Sequence, residues 1–179
     1  MNTVRIVGGA FRRRQLRFPD SEGLRPTPDR VRETLFNWLG QDLAGQLCLD
    51  LFAGSGALGF EAASRGAARV VMVEKTPRVL AALQENHELL HKPSAVEIVR
   101  GDALQYLVST KTKFDLIFLD PPYKAGWIGR LEGLLPPVLN EDAAIYVEAE
   151  HEIASLGDWR TVRQGKAGEV HFHLLRRPA

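Results

Sequence analysis

The sequence predicts an α/β protein: a doubly wound, mostly parallel seven-stranded sheet, with a closing antiparallel hairpin and a basic N-terminal hairpin–helix extension. Three observations predict it. From Leu47 onward, apolar runs of strand length alternate with helical patterns. A glycine loop, with Gly54, Gly56 and Gly59 spaced as G-x-G-x-x-G, joins the first run to the first helical pattern. Further on, Asp120-Pro121-Pro122-Tyr123 ends the apolar run of residues 114–119. Two prolines forbid both strand continuation and a helix interior.

The elements follow in chain order. Residues 3–18 alternate apolar and polar around Gly8 and Gly9, as a small hairpin does. Thr27-Pro28-Asp29 has the make-up of a helix start: a hydroxyl cap, proline at the first helical position, and an acid in the first turn. Val31, Leu35, Trp38 and Leu39 then recur at helical spacing as far as Gly40. Strands are expected at 47–52, 69–73, 95–100, 114–119 and 143–148, with helices at 57–65, 77–91, 103–109 and 127–134. The tail changes character, because residues 159–163 and 169–175 flank the turn-rich stretch 164–168 and read as the closing hairpin. The whole of 1–179 is expected to be one domain, with 1–40 as the extension and 45–179 as the ligand-binding core.

Composition narrows the class. With 45% apolar and 25% charged residues, the chain can bury a core without disulfides. It has no apolar run of membrane-spanning length and no charged-then-apolar leader at Met1. Its single Cys48 cannot pair within the chain, which suits a reducing cytoplasm. Net charge is +1, yet residues 1–32 carry eight Arg against three acids, while the remainder carries 15 basic and 19 acidic residues. A basic arm on a slightly acidic body either is solvated or reaches a polyanion.

The glycine loop fits two ligand classes, a nicotinamide dinucleotide and S-adenosylmethionine. Glycines let backbone approach a ligand, and Glu74, at the end of the second strand, can accept the hydrogens of a ribose diol. Asp50, at the end of the first strand, separates the two. A carboxylate there repels a pyrophosphate and attracts a sulfonium or an ammonium. Asp102 ends the third strand, where it could meet an adenine amino group. Acids after successive strands make a poor phosphate cradle and a good site for a cationic cofactor. At the fourth strand, Asp120, the rigid proline carbonyls and Tyr123 form a cluster suited to a flat amine such as a nucleobase.

These motifs, in this order and spacing, resemble the class I S-adenosylmethionine-dependent methyltransferases that act on exocyclic amines. Arg5-Ile6-Val7-Gly8-Gly9, Arg14 and the stretch from Leu24 to Phe36 are similar to the RsmD family. Members of that bacterial family methylate the N2 amine of a guanine in small-subunit (16S) ribosomal RNA. The resemblance covers essentially the full length. It implies a cofactor site of Asp50, Phe52, Ala53, Gly54, Ser55, Gly56, Glu74, Lys75, Asp102, Ala103 and Asp120. It points to Arg5, Arg12, Arg13, Arg14, Arg25, Thr27 and Arg30 for RNA contact, since arginine forks suit phosphates and stack on bases. The expected partner is small-subunit ribosomal RNA or the small ribosomal subunit, met by a cytoplasmic monomer without metal or membrane.

The chemistry follows from the residues. The lone pair of a guanine or adenine amine is delocalised into the ring. Hydrogen bonds from the amine to the Asp120 carboxylate and the Pro121 carbonyl would draw the nitrogen towards tetrahedral geometry. Pro122 helps to set the loop, and Tyr123 would stack on an extruded base. Adenine-N6 methylation of DNA or RNA uses the same loop, although 179 residues leave little room for a DNA target-recognition domain. Glutamine methylation is matched instead by an Asn-Pro-Pro-Tyr pattern. A nicotinamide oxidoreductase would need neither Asp50 nor the proline loop. A non-catalytic RNA-binding module would not need Asp120.

One motif points elsewhere. His87-Glu88-Leu89-Leu90-His91 matches the zinc-protease pattern, but Lys92-Pro93 ends the helix at once and no third ligand follows. Asn86 is expected to cap or support the sheet edge. His171 and His173 are expected to face solvent, Trp38 and Trp159 to pack, and Trp127 to pack or border the substrate pocket.

Overall fold

The computed structural model describes residues 1–122 and 126–179. Two antiparallel strands, β1 (Asn2–Arg5) and β2 (Gln15–Phe18), form the arm hairpin and lead into α1 (Asp29–Leu39). The body then alternates through β3 (Leu47–Asp50), α2 (Ala57–Ser64), β4 (Arg69–Glu74), α3 (Pro77–Leu89), β5 (Val96–Arg100), α4 (Ala103–Ser109) and β6 (Phe114–Leu119). After the proline loop come α5 (Trp127–Leu131), two 3₁₀ turns (Glu132–Leu134 and Pro136–Val138) and β7 (Leu139–Ala149). The chain closes with β8 (Ser155–Leu156), β9 (Trp159–Ala167) and β10 (Val170–Arg176).

The sheet runs β5-β4-β3-β6-β7-β10-β9-β8. Neighbours from β5 to β7 are parallel, and β10, β9 and β8 are antiparallel additions. The seven expected strands are all present, and the two-residue β8 adds a short eighth at the outer edge. β3 and β6 are nearly continuous apolar runs because both sheet faces are covered. One face packs Cys48, Leu116, Phe118, Ala144 and Tyr146 beneath the arm, α1 and α2. The other packs Leu49, Ile117, Leu119, Ile145 and Val147 beneath α4, α5 and the 3₁₀ turns. The chain order reverses between β3 and β6. That leaves a crevice at their C-terminal ends, where α/β sheets bind ligands.

Helix α2 explains how the arm is held. Seven of its residues are buried, polar Glu61 and Ser64 among them, because it lies between the sheet and the arm. The Glu61 carboxylate accepts the Val7 and Gly8 amides at 2.8 and 2.9 Å. The Ser64 hydroxyl accepts the Phe11 amide and donates to the Gly8 carbonyl, while the Ser64 carbonyl accepts the Ala10 amide. Gly9 has φ +79°, and a Cβ there would fall 2.0 Å from the Ser64 carbonyl oxygen. Only glycine permits this approach.

Three local expectations are corrected. Helix α1 begins at Asp29 with Pro28 as its cap and no side-chain capping bond. Thr27 is not a cap; its hydroxyl is drawn 121 residues along the chain to Glu148. His173 does not face solvent. It is fully buried, its Nε2 accepting the Ile153 amide at 3.0 Å and its Nδ1 3.2 Å from the Val147 carbonyl. Strand alternation was the wrong guide there, because the connection after β7 folds over that face of β10. The expected helix of residues 127–134 is α-helical only to Leu131.

Other placements match. Asn86 is fully buried and bonds both the amide and the carbonyl of Arg17, which supports the β2 edge. Trp38 stacks on Phe172 at 5.5 Å, and the Trp159 indole donates to the Ala143 carbonyl. In the H-E-x-x-H stretch, α3 ends at Leu89, and His91 has φ 62°, so the two histidines do not share one helical face. Among the described residues, no group of three or more His, Cys, Asp or Glu side chains could hold a metal ion. No helix among them is long and apolar enough to cross a membrane.

Candidate active site

A cavity opens at the C-terminal edge of β3, β4 and β6, roofed by the arm segment Ser21–Thr27. The expected cofactor residues Asp50, Phe52, Ala53, Gly54, Ser55, Glu74, Lys75, Asp102, Ala103 and Asp120 all line it. Gly56 does not. It caps α2 at φ +84°, and a Cβ there would meet the Phe60 ring at 2.5 Å. Helix packing alone therefore requires glycine here. Gly59 is similar, since a Cβ would lie 2.7 Å from Met72.

The acids hold the loop in shape. Asp50 is almost fully buried and accepts the Gly59 amide at 2.9 Å, which ties β3 to α2. Burial, reinforced by nearby Glu74 and Glu148 and opposed by that amide bond, pushes its carboxyl up to about 7. Glu74 accepts the Gly54 amide at 3.0 Å with one oxygen and the Thr76 amide at 2.9 Å with the other. Each oxygen keeps a second lone pair for a ligand. Asp102 caps α4 by accepting the Gln105 amide at 3.1 Å.

Across the crevice stands Asp120, one residue past the end of β6. Phe118 pairs with both Asp50 and Tyr146, so strand alternation puts Asp50, Asp120 and Glu148 on one sheet face. Burial, then the charges of Glu148 and Asp50, raise the proton affinity of Asp120 well above that of an ordinary carboxylate. Pro122 is exposed and lines the cavity, whereas Pro121 is buried. Tyr123 lies outside the described residues. Trp127 both packs and borders the cavity. Its ring meets Phe52 edge-on at 5.1 Å, with the Arg130 guanidinium 4.3 Å and the Lys75 ammonium 5.9 Å from its centre.

The arginines of the arm divide. Arg12, Arg13, Arg14, Arg25 and Arg30 are exposed, and Arg25 lines the cavity as well. Arg14 donates to the Leu89 carbonyl, and Arg5, 64% exposed, bonds Asp29 at 2.6 Å. Thr27 is only 3% exposed and lines the cavity wall.

Three residues escaped sequence reasoning. Arg32, counted there as part of the basic arm, is fully buried. It bonds Glu61 at 2.8 Å, Asp29 at 2.5 Å, and the carbonyls of Thr27 and Arg5. The other two are Tyr146 and Glu148 on β7. Glu148 is a lone acid in the apolar run of residues 143–149, one strand over from Asp120, and that oddity was the available signal.

This architecture matches known proteins along its full length. The model of the family described as conserved hypothetical protein 95 covers residues 4–176. Ribosomal RNA small subunit methyltransferase D of Escherichia coli is 42% identical over 98% of this chain and 91% of its own length. The solved structure of the Escherichia coli protein yhhF superposes with a TM-score of 0.88 at 41% identity over 99% of both chains. An RNA methyltransferase from Salinibacter ruber, solved with S-adenosyl-L-homocysteine, shares the fold at 18% identity and a TM-score of 0.68, covering 87% of this chain and 95% of its own. With the family model matched from residue 4 to residue 176, the chain belongs to the conserved hypothetical protein 95 family, and it is similar over nearly its full length to ribosomal RNA small subunit methyltransferase D of Escherichia coli.

Proposed function

We propose that this protein transfers a methyl group from S-adenosylmethionine to the exocyclic N2 amine of one guanine in small-subunit (16S) ribosomal RNA. The observation that carries the reading is that Asp50 and Asp120, on one sheet face at the switch point, line one cavity beneath an arginine-bearing arm. The residues suit the cofactor. Asp50 is a buried carboxylate lining the cavity, Glu74 ends the next strand and Asp102 follows the one after, and among the described residues only Lys75 and Arg25 bring positive charge to the wall. When bound, the sulfonium cofactor supplies a methyl that is already activated.

The protein's part is positioning and proton handling. Asp120 and the Pro121 carbonyl accept hydrogens from the amine, which localises its lone pair. As the nitrogen–carbon bond forms and the sulfur–carbon bond breaks, the nitrogen becomes cationic and must lose one proton. Asp120, with its raised proton affinity, is placed to take it and later pass it to water. Tyr123 would stack on the extruded base, and Arg5, Arg12, Arg13, Arg14, Arg25 and Arg30 would hold the flanking backbone. The reading carries with it action by a monomer in the cytoplasm, where small subunits are assembled.

The test is methyl transfer from labelled cofactor into small subunits from cells lacking the protein, with the product nucleoside identified by mass. The expected product is N2-methylguanosine, with the rate of Asp120→Ala reduced about a thousandfold. Label in adenine would overturn the substrate, and full activity in Asp120→Ala would overturn the mechanism.

A further inference from the structure

We infer that Thr27 is a specificity-determining residue: its hydroxyl, locked as an acceptor by Glu148, reads the N1–H of guanine beside the amine that Asp120 binds. The inference rests on the substrate reading above and deepens it.

The argument starts from one oxygen. Thr27 Oγ1 donates to Glu148 Oε2 at 2.5 Å, and the Tyr146 hydroxyl donates to the same Oε2 at 2.9 Å. Burial raises the proton affinity of Glu148 and the two hydroxyl bonds oppose that rise, so Oε2, which receives both of them, is the acceptor oxygen of the carboxyl. A threonine hydroxyl has one proton and two lone pairs. With its proton committed to Glu148, Thr27 can offer a ligand only a lone pair.

The position is rigid as well as polarised. The Thr27 carbonyl accepts the Arg32 Nε at 3.0 Å, and Arg32 is itself pinned by Glu61, Asp29 and the Arg5 carbonyl. Both ends of Thr27 are thus fixed before any ligand arrives, as selective sites require. Thr27 and Asp120 line the same cavity, and Glu148 joins them. It bonds the first and lies close enough to the second to raise its proton affinity.

Two acceptors on one cavity wall, joined through Glu148, match one base edge. Guanine presents two adjacent donors, the N2 amine and N1–H. Adenine presents an amine beside N1, which is an acceptor, so two lone pairs would face each other. A site built to pair a donor rejects the analogue lacking it, because its own buried polar group is left unsatisfied. Among the described residues, the cavity's other charged side chains are Glu22 and Arg25 on the arm and Asp50, Glu74, Lys75 and Asp102 at the strand ends.

The decisive probe is 2-aminopurine, which keeps the exocyclic amine but has no N1–H. The methylated guanine is first located with the wild-type protein. Small subunits are then reconstituted with either guanosine or 2-aminopurine riboside ligated at that position. Wild type should prefer guanine by about 10- to 100-fold in kcat/KM. Thr27→Val, which keeps the shape and removes the acceptor, should lower the guanine rate to the 2-aminopurine level. The effect is read as the ratio of the guanine and 2-aminopurine rates, which should collapse towards one. Thr27→Ser should restore the preference. A Thr27→Val protein that keeps its preference for guanine overturns the inference. So does an equal loss on both bases in Val and Ser variants alike, which would mark a structural role. If Thr27→Val does not fold, Thr27→Ala carries the test, since it removes the same acceptor without adding bulk; undiminished preference there is equally fatal. N6-methyladenosine as the wild-type product would instead sink the substrate reading itself.

Discussion

Asp50 meets two opposed demands. Burial favours its neutral form and pushes its carboxyl up to about 7, whereas a cationic cofactor needs it ionised. Below pH 7 the group holds its proton and the attraction is lost; above it the charge is present. Cofactor affinity of the free protein should therefore fall as pH drops from 8 to 6. In Asp50→Asn it should be weak throughout and nearly flat with pH, as titration calorimetry can read. A wild-type profile flat across that range would remove Asp50 from the site. At this scale the motif residues were legible because glycine, proline and acid spacing is local chemistry. Glu148 was not, since its partner is Thr27, 121 positions away.

Among the elements, α1 and α2 fix the arm through one buried ion cluster. Arg32 and Glu61 are both fully buried and lie 2.8 Å apart, and Arg65 bonds the second Glu61 oxygen at 3.0 Å. Removing one partner strands the other in a dry interior. Arg32→Ala should cost about 3–5 kcal/mol of stability, measured by urea unfolding. It should also free the Thr27 carbonyl and loosen the cavity roof. A loss under 1 kcal/mol would mean that Glu61 finds another partner or water. The sequence showed Arg32 only as one more positive charge. Helical spacing places it on α1 four residues before Phe36, but whether that face is solvent or core depends on α2 lying across it.

Over the whole molecule, Ile6, Leu16, Phe18, Val31, Leu35 and Phe36 from the first 40 residues pack in one cluster with Phe60 and Met72 from the body. We propose that the chain folds as a single unit, in which residues 1–40 are part of the core rather than a detachable extension. Full-length protein should melt in one calorimetric transition, and a fragment of residues 45–179 should show no cooperative melt, having lost the cover of one sheet face. A fragment melting near the full-length temperature would refute this. The strand positions, the mostly parallel sheet and the ligand edge were determined by the sequence alone, because apolar periodicity, glycine turns and proline stops act within a few residues. Tertiary structure decided what no local pattern carries. It seated the arm on α2, buried Arg32 and His173, packed Gly56 against Phe60, and brought Thr27 to Glu148. Each of these is a contact between distant segments, whose sign and partner exist only once the sheet has brought both sides together.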